Sequence, residues 1–113
     1  MKLKSVQQGG VTVISLQGNL MGGPDATSLN SQIHELLTAN KKDVVLDLAG
    51  VNFMNSSGLG MLIGGASALK NAGGRLVLAC ASEKILSLIK VTKLSSVFDH
   101  YDSVRAAADS FKK

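Results

Sequence analysis

Two adjacent serines, Ser56 and Ser57, sit between the apolar run Val44-Val45-Leu46-Asp47-Leu48 and the glycine-containing segment Gly58-Leu59-Gly60. A hydroxyl at such a strand-to-helix turn can do two things. It can accept a hydrogen bond from the free N–H groups that open a helix, a cap worth about 1 kcal/mol. It can also carry a phosphate, held where the helix dipole favours negative charge. On residue types alone the cap is the simpler reading, and both remain open.

The same segment offers a second chemistry. Gly58, Gly60 and Gly64 form G-x-G-x-x-x-G after a strand and at the start of a helix, a partial likeness to the dinucleotide fingerprint. The segment joining strand to glycines is long for that motif, the chain is short, and the next apolar strand ends in Cys80 instead of an acidic residue. Close backbone approach in the first helical turn accounts for Gly58 and Gly60, and tight helix packing for Gly64-Gly65, so nucleotide binding is the minor reading. No lysine follows these glycines at P-loop spacing.

Catalysis has little to work with. His34 lies between Ile33 and Glu35 on a helical stretch, and His100 follows Asp99 near a helix start, so surface or capping roles suit both. No G-x-S-x-G elbow surrounds either serine, and no His, Cys, Asp and Glu cluster has metal-ligand spacing. Cys80 ends Leu76-Val77-Leu78-Ala79 and reads as a small buried hydrophobe. The chain is expected to be a non-enzyme without metal or cofactor.

The elements that position the serines follow from periodicity. Leu3–Val6 and Val11–Leu16 flank Gln7-Gln8-Gly9-Gly10 and predict a hairpin. Gly22-Gly23-Pro24-Asp25 breaks the chain and starts a helix with apolar positions Ala26, Leu29, Ile33, Leu36 and Leu37. Val44–Leu48 is nearly all apolar, as a central strand buried on both faces should be. A helix with Leu59, Leu62, Ile63, Ala66 and Leu69 on one side ends at Asn71-Ala72-Gly73-Gly74, before a buried strand at Leu76–Cys80. Ser82 is placed to cap a helix using Ile85, Leu86 and Ile89. A brief strand is expected at Val97-Phe98, and Asp102 or Ser103 should cap a last helix through Val104, Ala107, Ala108 and Phe111. This alternation predicts an α/β domain: a mostly parallel mixed sheet of about five strands, an antiparallel edge hairpin, and about four covering helices.

At 113 residues the chain is read as a single domain, 1–113. One cysteine precludes an internal disulfide and fits a reducing compartment. No signal peptide and no bilayer-length apolar run is evident, so a cytoplasmic protein without membrane insertion is expected. The net charge of +4 is spread over Lys41-Lys42, Lys84, Lys90, Lys93 and Lys112-Lys113, and there is one Tyr and no Trp. Without a dense basic stripe or aromatics for stacking, nucleic acid binding is not expected.

The chain resembles the STAS family, the anti-sigma factor antagonists, over nearly its whole length. The resemblance rests on the opening hairpin, Gly18-Asn19-Leu20, Val44–Leu48, Phe53-Met54-Asn55-Ser56-Ser57-Gly58-Leu59-Gly60, Gly73-Gly74-Arg75-Leu76-Val77-Leu78 and the helix after Ser82. It implies a STAS-like fold and a phosphoacceptor at Ser56, with Ser57 shaping or capping the turn. It also implies two partners, an anti-sigma factor that is itself a serine kinase and a PPM-type phosphatase. The unphosphorylated form would bind the anti-sigma factor through Met21, Gly22, Asp25, Asn55, Ser56, Ser57, Gly58 and Leu59. Asn55 stands where the family commonly has an acidic residue, and Met21-Gly22-Gly23 occupies another often acidic position. An alternative within the family is a constitutive interaction subunit, for example of a lipid-transport ATPase complex, without phosphorylation. Oligomeric state is not readable from the chain.

Overall fold

The computed structural model describes residues 2–92 and 98–111. Along the chain run β1 (Lys2–Gln8), β2 (Val11–Leu20), α1 (Pro24–Thr38), β3 (Asp43–Met54), α2 (Ser56–Asn71), β4 (Arg75–Ala79), α3 (Glu83–Val91), β5 (Asp99–Tyr101) and α4 (Val104–Asp109). The five strands lie in one sheet in chain order, β1 antiparallel to β2 and the others parallel. The mixed α/β sheet with its edge hairpin is therefore as the alternation of elements implied. Gly9 and Gly10, with φ of 59° and 84°, make the two-residue turn whose twist suits a hairpin.

The helices are distributed unequally. Residues from α1, α2 and α3 share one core with Ile14, Leu16, Val44, Leu46, Leu48, Leu76 and Leu78. Among the described residues, α4 alone of the helices packs on the opposite face, its Ala107 meeting Val11, Val13, Val45, Val77 and Ala79. Strand side chains alternate between faces, so Val44 and Val45 are both fully buried, each against a different layer. Arg75 fastens the thin side: its guanidinium donates to Asp99 Oδ2 at 2.6 Å and to the Ser110 carbonyl, and lies 5.2 Å from the Phe111 ring centroid.

Four expectations shift. Strand β3 does not stop at Leu48 but runs to Met54, because β2 also continues, to Leu20, and the two stay paired through register shifts at Ser15/Gln17 and Gly18/Asn19. The segment that reads in sequence as a long connection is thus strand. β4 ends at Ala79, since Cys80 has φ of 60° and leaves the ladder. Cys80 is half-buried rather than enclosed. The last strand is Asp99–Tyr101: Phe98 is buried in the core just before it, and Val97 lies outside the described residues.

Candidate functional site

The long β2–β3 pair ends where the serines begin. Leu20 is aligned with Met54, and the Asn55 N–H donates to the Leu20 carbonyl at 3.2 Å, closing the pair across the corner. Asn55 is extended (φ −100°, ψ −176°) and its Oδ1 accepts the Gly58 N–H at 2.8 Å. Asn55 is therefore the N-cap of α2. The expectation that Ser56 or Ser57 caps the helix is corrected, and the reason is register: Asn55 lies one residue outside the helix, and Ser56 is already its first residue.

That register leaves the Ser56 hydroxyl exposed, without a hydrogen bond to any described residue. Ser57 is exposed too and packs against the preceding loop, since a Cβ on Gly22 would come within 2.8 Å of Ser57 Cβ. Gly22, at φ 83°, supplies a backbone that other residues adopt with strain. Gly58 lets the corner close, because a Cβ there would fall onto the Leu20 carbonyl oxygen. Among the residues expected to meet a partner, Asn55, Ser56, Ser57 and Gly22 thus come together at one corner. Met21, 47 % exposed, borders it; Ser56 and Ser57 are exposed and Asn55 half-buried, whereas Gly22, Gly58 and Leu59 are buried and support the corner from beneath. Asp25 lies in the first turn of α1, one turn from Gly22 along the chain.

Helix α2 brings no negative charge to the corner. It carries no acidic residue, and its single charge is Lys70 in the last turn. The positive end of the dipole of this 16-residue helix therefore faces Ser56 without a neutralising carboxylate in its first turn.

The other candidates place differently. Gly60 and Gly64 are exposed and an added Cβ would meet nothing within 4 Å, so close approach does not explain them. Gly65 does face a neighbour, Ile33 of α1. His100 accepts the Ala81 N–H at Nε2 (3.1 Å), a structural bond, and His34 is exposed on α1. Burial pushes the Cys80 thiol up, with the Asp47 carboxylate adding to the shift, so the environment disfavours the thiolate. Among the described residues no His, Cys, Asp and Glu group could hold a metal ion, and no helix is long and apolar enough to cross a membrane.

Two features of the site escaped the sequence reading. The capping role of Asn55 was signalled by the most favoured cap residue type standing three places before the N–H it binds. The exposure of Phe53, 46 %, was not signalled, since an aromatic at the end of a strand ordinarily reads as core.

Comparison with known proteins narrows the reading. The family model of the STAS domain matches residues 2–107. The chain is 28 % identical over 112 residues to BtrV of Bordetella bronchiseptica, covering 99 % of this chain and 96 % of that protein. It is 31 % identical over 86 residues to the anti-sigma-B factor antagonist of Bacillus subtilis, covering 74 % and 79 % respectively. In fold it is similar to the Bacillus protein SpoIIAA in its phosphorylated form (TM-score 0.75, 18 % identity, 98 % of this chain and 100 % of that one). The unphosphorylated anti-sigma factor antagonist SpoIIAA superposes equally well (TM-score 0.74, 20 % identity, 96 % of each chain).

Proposed function

This chain belongs to the STAS domain family, and from that premise we propose that it is an anti-sigma factor antagonist, a cytoplasmic, non-enzymatic binding protein in a bacterial partner-switching pathway. Unmodified, it docks an anti-sigma factor over the corner formed by Met21, Gly22, Asn55, Ser56 and Ser57. That anti-sigma factor, acting as a serine kinase, transfers the γ-phosphoryl group of ATP to Ser56 Oγ and releases ADP. A PPM-type phosphatase returns the serine by hydrolysis.

One observation carries the reading. The Ser56 hydroxyl is exposed at the first position of α2 and is not used in capping, because Asn55 does that work. Its phosphorylation therefore breaks no hydrogen bond of the fold. The phosphate adds about −1.5 to −2 charges at a helix N-terminus, where the free N–H groups and dipole stabilise them. A partner seated on the same corner meets that charge as repulsion and desolvation. The likeness of the fold to both the phosphorylated and unphosphorylated SpoIIAA structures supports a switch made by charge without refolding.

The test is incubation with the cognate kinase and ATP, followed by mass measurement. Wild type gains one phosphate and Ser56→Ala gains none, while Ser56→Asp weakens anti-sigma factor binding by about 100-fold or more, roughly 2.8 kcal/mol. Equal labelling of Ser56→Ala removes Ser56 from the mechanism. Binding indifferent to Ser56→Asp assigns the chain instead to the constitutive-subunit class.

A further inference from the structure

The described residues include four large apolar side chains that stand exposed: Val6, Met21, Phe53 and Val91. Two of the four, Met21 and Phe53, border the Ser56 corner. Phe53 is the exception among the phenylalanines, since Phe98 is buried and Phe111 is half-buried against Arg75. It lies opposite Asn19 at the end of the β2–β3 pair, three residues before Ser56. On its other side Phe53 joins Met54, Ile85, Leu88 and Lys84 in lining a shallow, mainly apolar groove of about 230 Å³ between the end of β3 and α3. That is room for one large side chain.

Resting on the function proposed above, we infer that the docking surface continues from the Ser56 corner across Phe53 into this groove, and that it takes an acidic amphipathic segment of the anti-sigma factor, with one large apolar side chain seated beside Phe53. Charge selects this occupant. The chain is net positive at +4, α2 has no carboxylate, and residues 52–58 are uncharged, while Lys84 stands on the groove. Glu83, the one carboxylate of α3, and Asp25 of α1 each occupy the first turn of their helix, a position at which the helix dipole offsets negative charge. Complementary potential gives such a face a preference for carboxylates and speeds encounter with them. A second copy of this chain would bring its own excess positive charge and is the poorer match. The same complementarity sharpens the switch, because a phosphate on Ser56 would face the partner's carboxylates.

The experiment is calorimetric titration of the purified anti-sigma factor kinase into wild type, Ser56→Asp, Phe53→Ser and Lys84→Glu, each checked for an unchanged melting curve, at low and moderate salt. Phe53→Ser is expected to weaken binding at least about tenfold, as loss of a buried aromatic anchor does. Lys84→Glu is expected to weaken it several-fold and to flatten its salt dependence; this surface substitution keeps the test decisive should Phe53→Ser perturb the fold. Wild-type affinity in both groove variants, with binding still lost in Ser56→Asp, overturns the groove and leaves the proposed function standing. Loss in the groove variants with no effect of Ser56→Asp supports the surface and sinks the phosphate switch. Failure of wild type to bind removes both. Sedimentation of the protein alone completes the set: a dimer dispersed by Phe53→Ser assigns the groove to a second copy and overturns the inference.

Discussion

The two strand-to-helix corners at the ends of β3 and β4 are built from similar parts and put them to opposite use. At the second corner, β4 to α3, a serine is the cap: Ser82 Oγ accepts the Ile85 N–H at 3.4 Å. That corner is held on every side. Cys80 N–H donates to the Tyr101 carbonyl, Cys80 Sγ to the Asp102 carbonyl, and Ala81 N–H to His100 Nε2. At the first corner, β3 to α2, asparagine takes the cap position and the serines move one and two places into the helix. One step in register thus separates a hydroxyl consumed by the fold from one left over for another molecule. Serine at a helix start is uninformative until it is known which residue caps.

The sharpest way to break this contrast is to strike the contact that fixes the first corner. Gly58 abuts the Leu20 carbonyl, whereas α3 begins Glu83-Lys84-Ile85 with no glycine. Gly58→Ala is expected to destabilise the protein by about 1–3 kcal/mol, because backbone must shift to admit the methyl group. Denaturant unfolding measures it. A neutral result would mean that α2 is free to slide, and the fixed register of Ser56 would be lost as an argument.

Next in size are the caps themselves. Removing Asn55 Oδ1 in Asn55→Ala orphans the Gly58 N–H and should cost about 1 kcal/mol. Ser82→Ala, losing a longer bond, should cost nearer 0.5 kcal/mol, at the low end for caps. Ser56→Ala should stay within about 0.5 kcal/mol of wild type, as exposed substitutions do. Thermal or chemical unfolding of the three variants orders them. Should Ser56→Ala prove as costly as Asn55→Ala, the hydroxyl has a structural task, and the comparison between corners collapses.

Much of this was legible in the sequence. Alternation of strand and helix signals, the Gly9-Gly10 turn and the stripe Leu29, Ile33, Leu36 located the sheet and its main helical layer, because burial imposes those periods directly. Ser82 was legible as a cap for the same local reason, and for the last helix the sequence offered Asp102 or Ser103, of which Ser103 caps. What could not be read was set by partners distant in the chain. The extension of β3 to Met54 depends on a ladder with β2, whose register shifts twice. The placing of three helices on one face and α4 alone on the other follows from connection geometry that no single segment encodes. At the site, Ser56 was identifiable as a helix-start serine. Its freedom was not, since that depends on Asn55 holding Gly58 while the Leu20 carbonyl holds Asn55.

The smallest expected effect bears on the glycines that first suggested a nucleotide loop. Gly60 and Gly64 lie on α2, exposed, with open space where a Cβ would stand. Glycine inside a helix is destabilising by about 0.5–1 kcal/mol relative to alanine, largely through the entropy of the unfolded chain. Gly60→Ala and Gly64→Ala should therefore each stabilise the protein by about that amount, raising Tm by several degrees in a domain of this size. The α3 corner, which has no such glycines, offers no equivalent gain. If either alanine lowers Tm, the packing of α2 differs from that described. If it raises Tm but impairs anti-sigma factor binding, the bare helix surface beside Ser56 is itself part of the docking face, and the exposed glycines keep the approach to Ser56 clear.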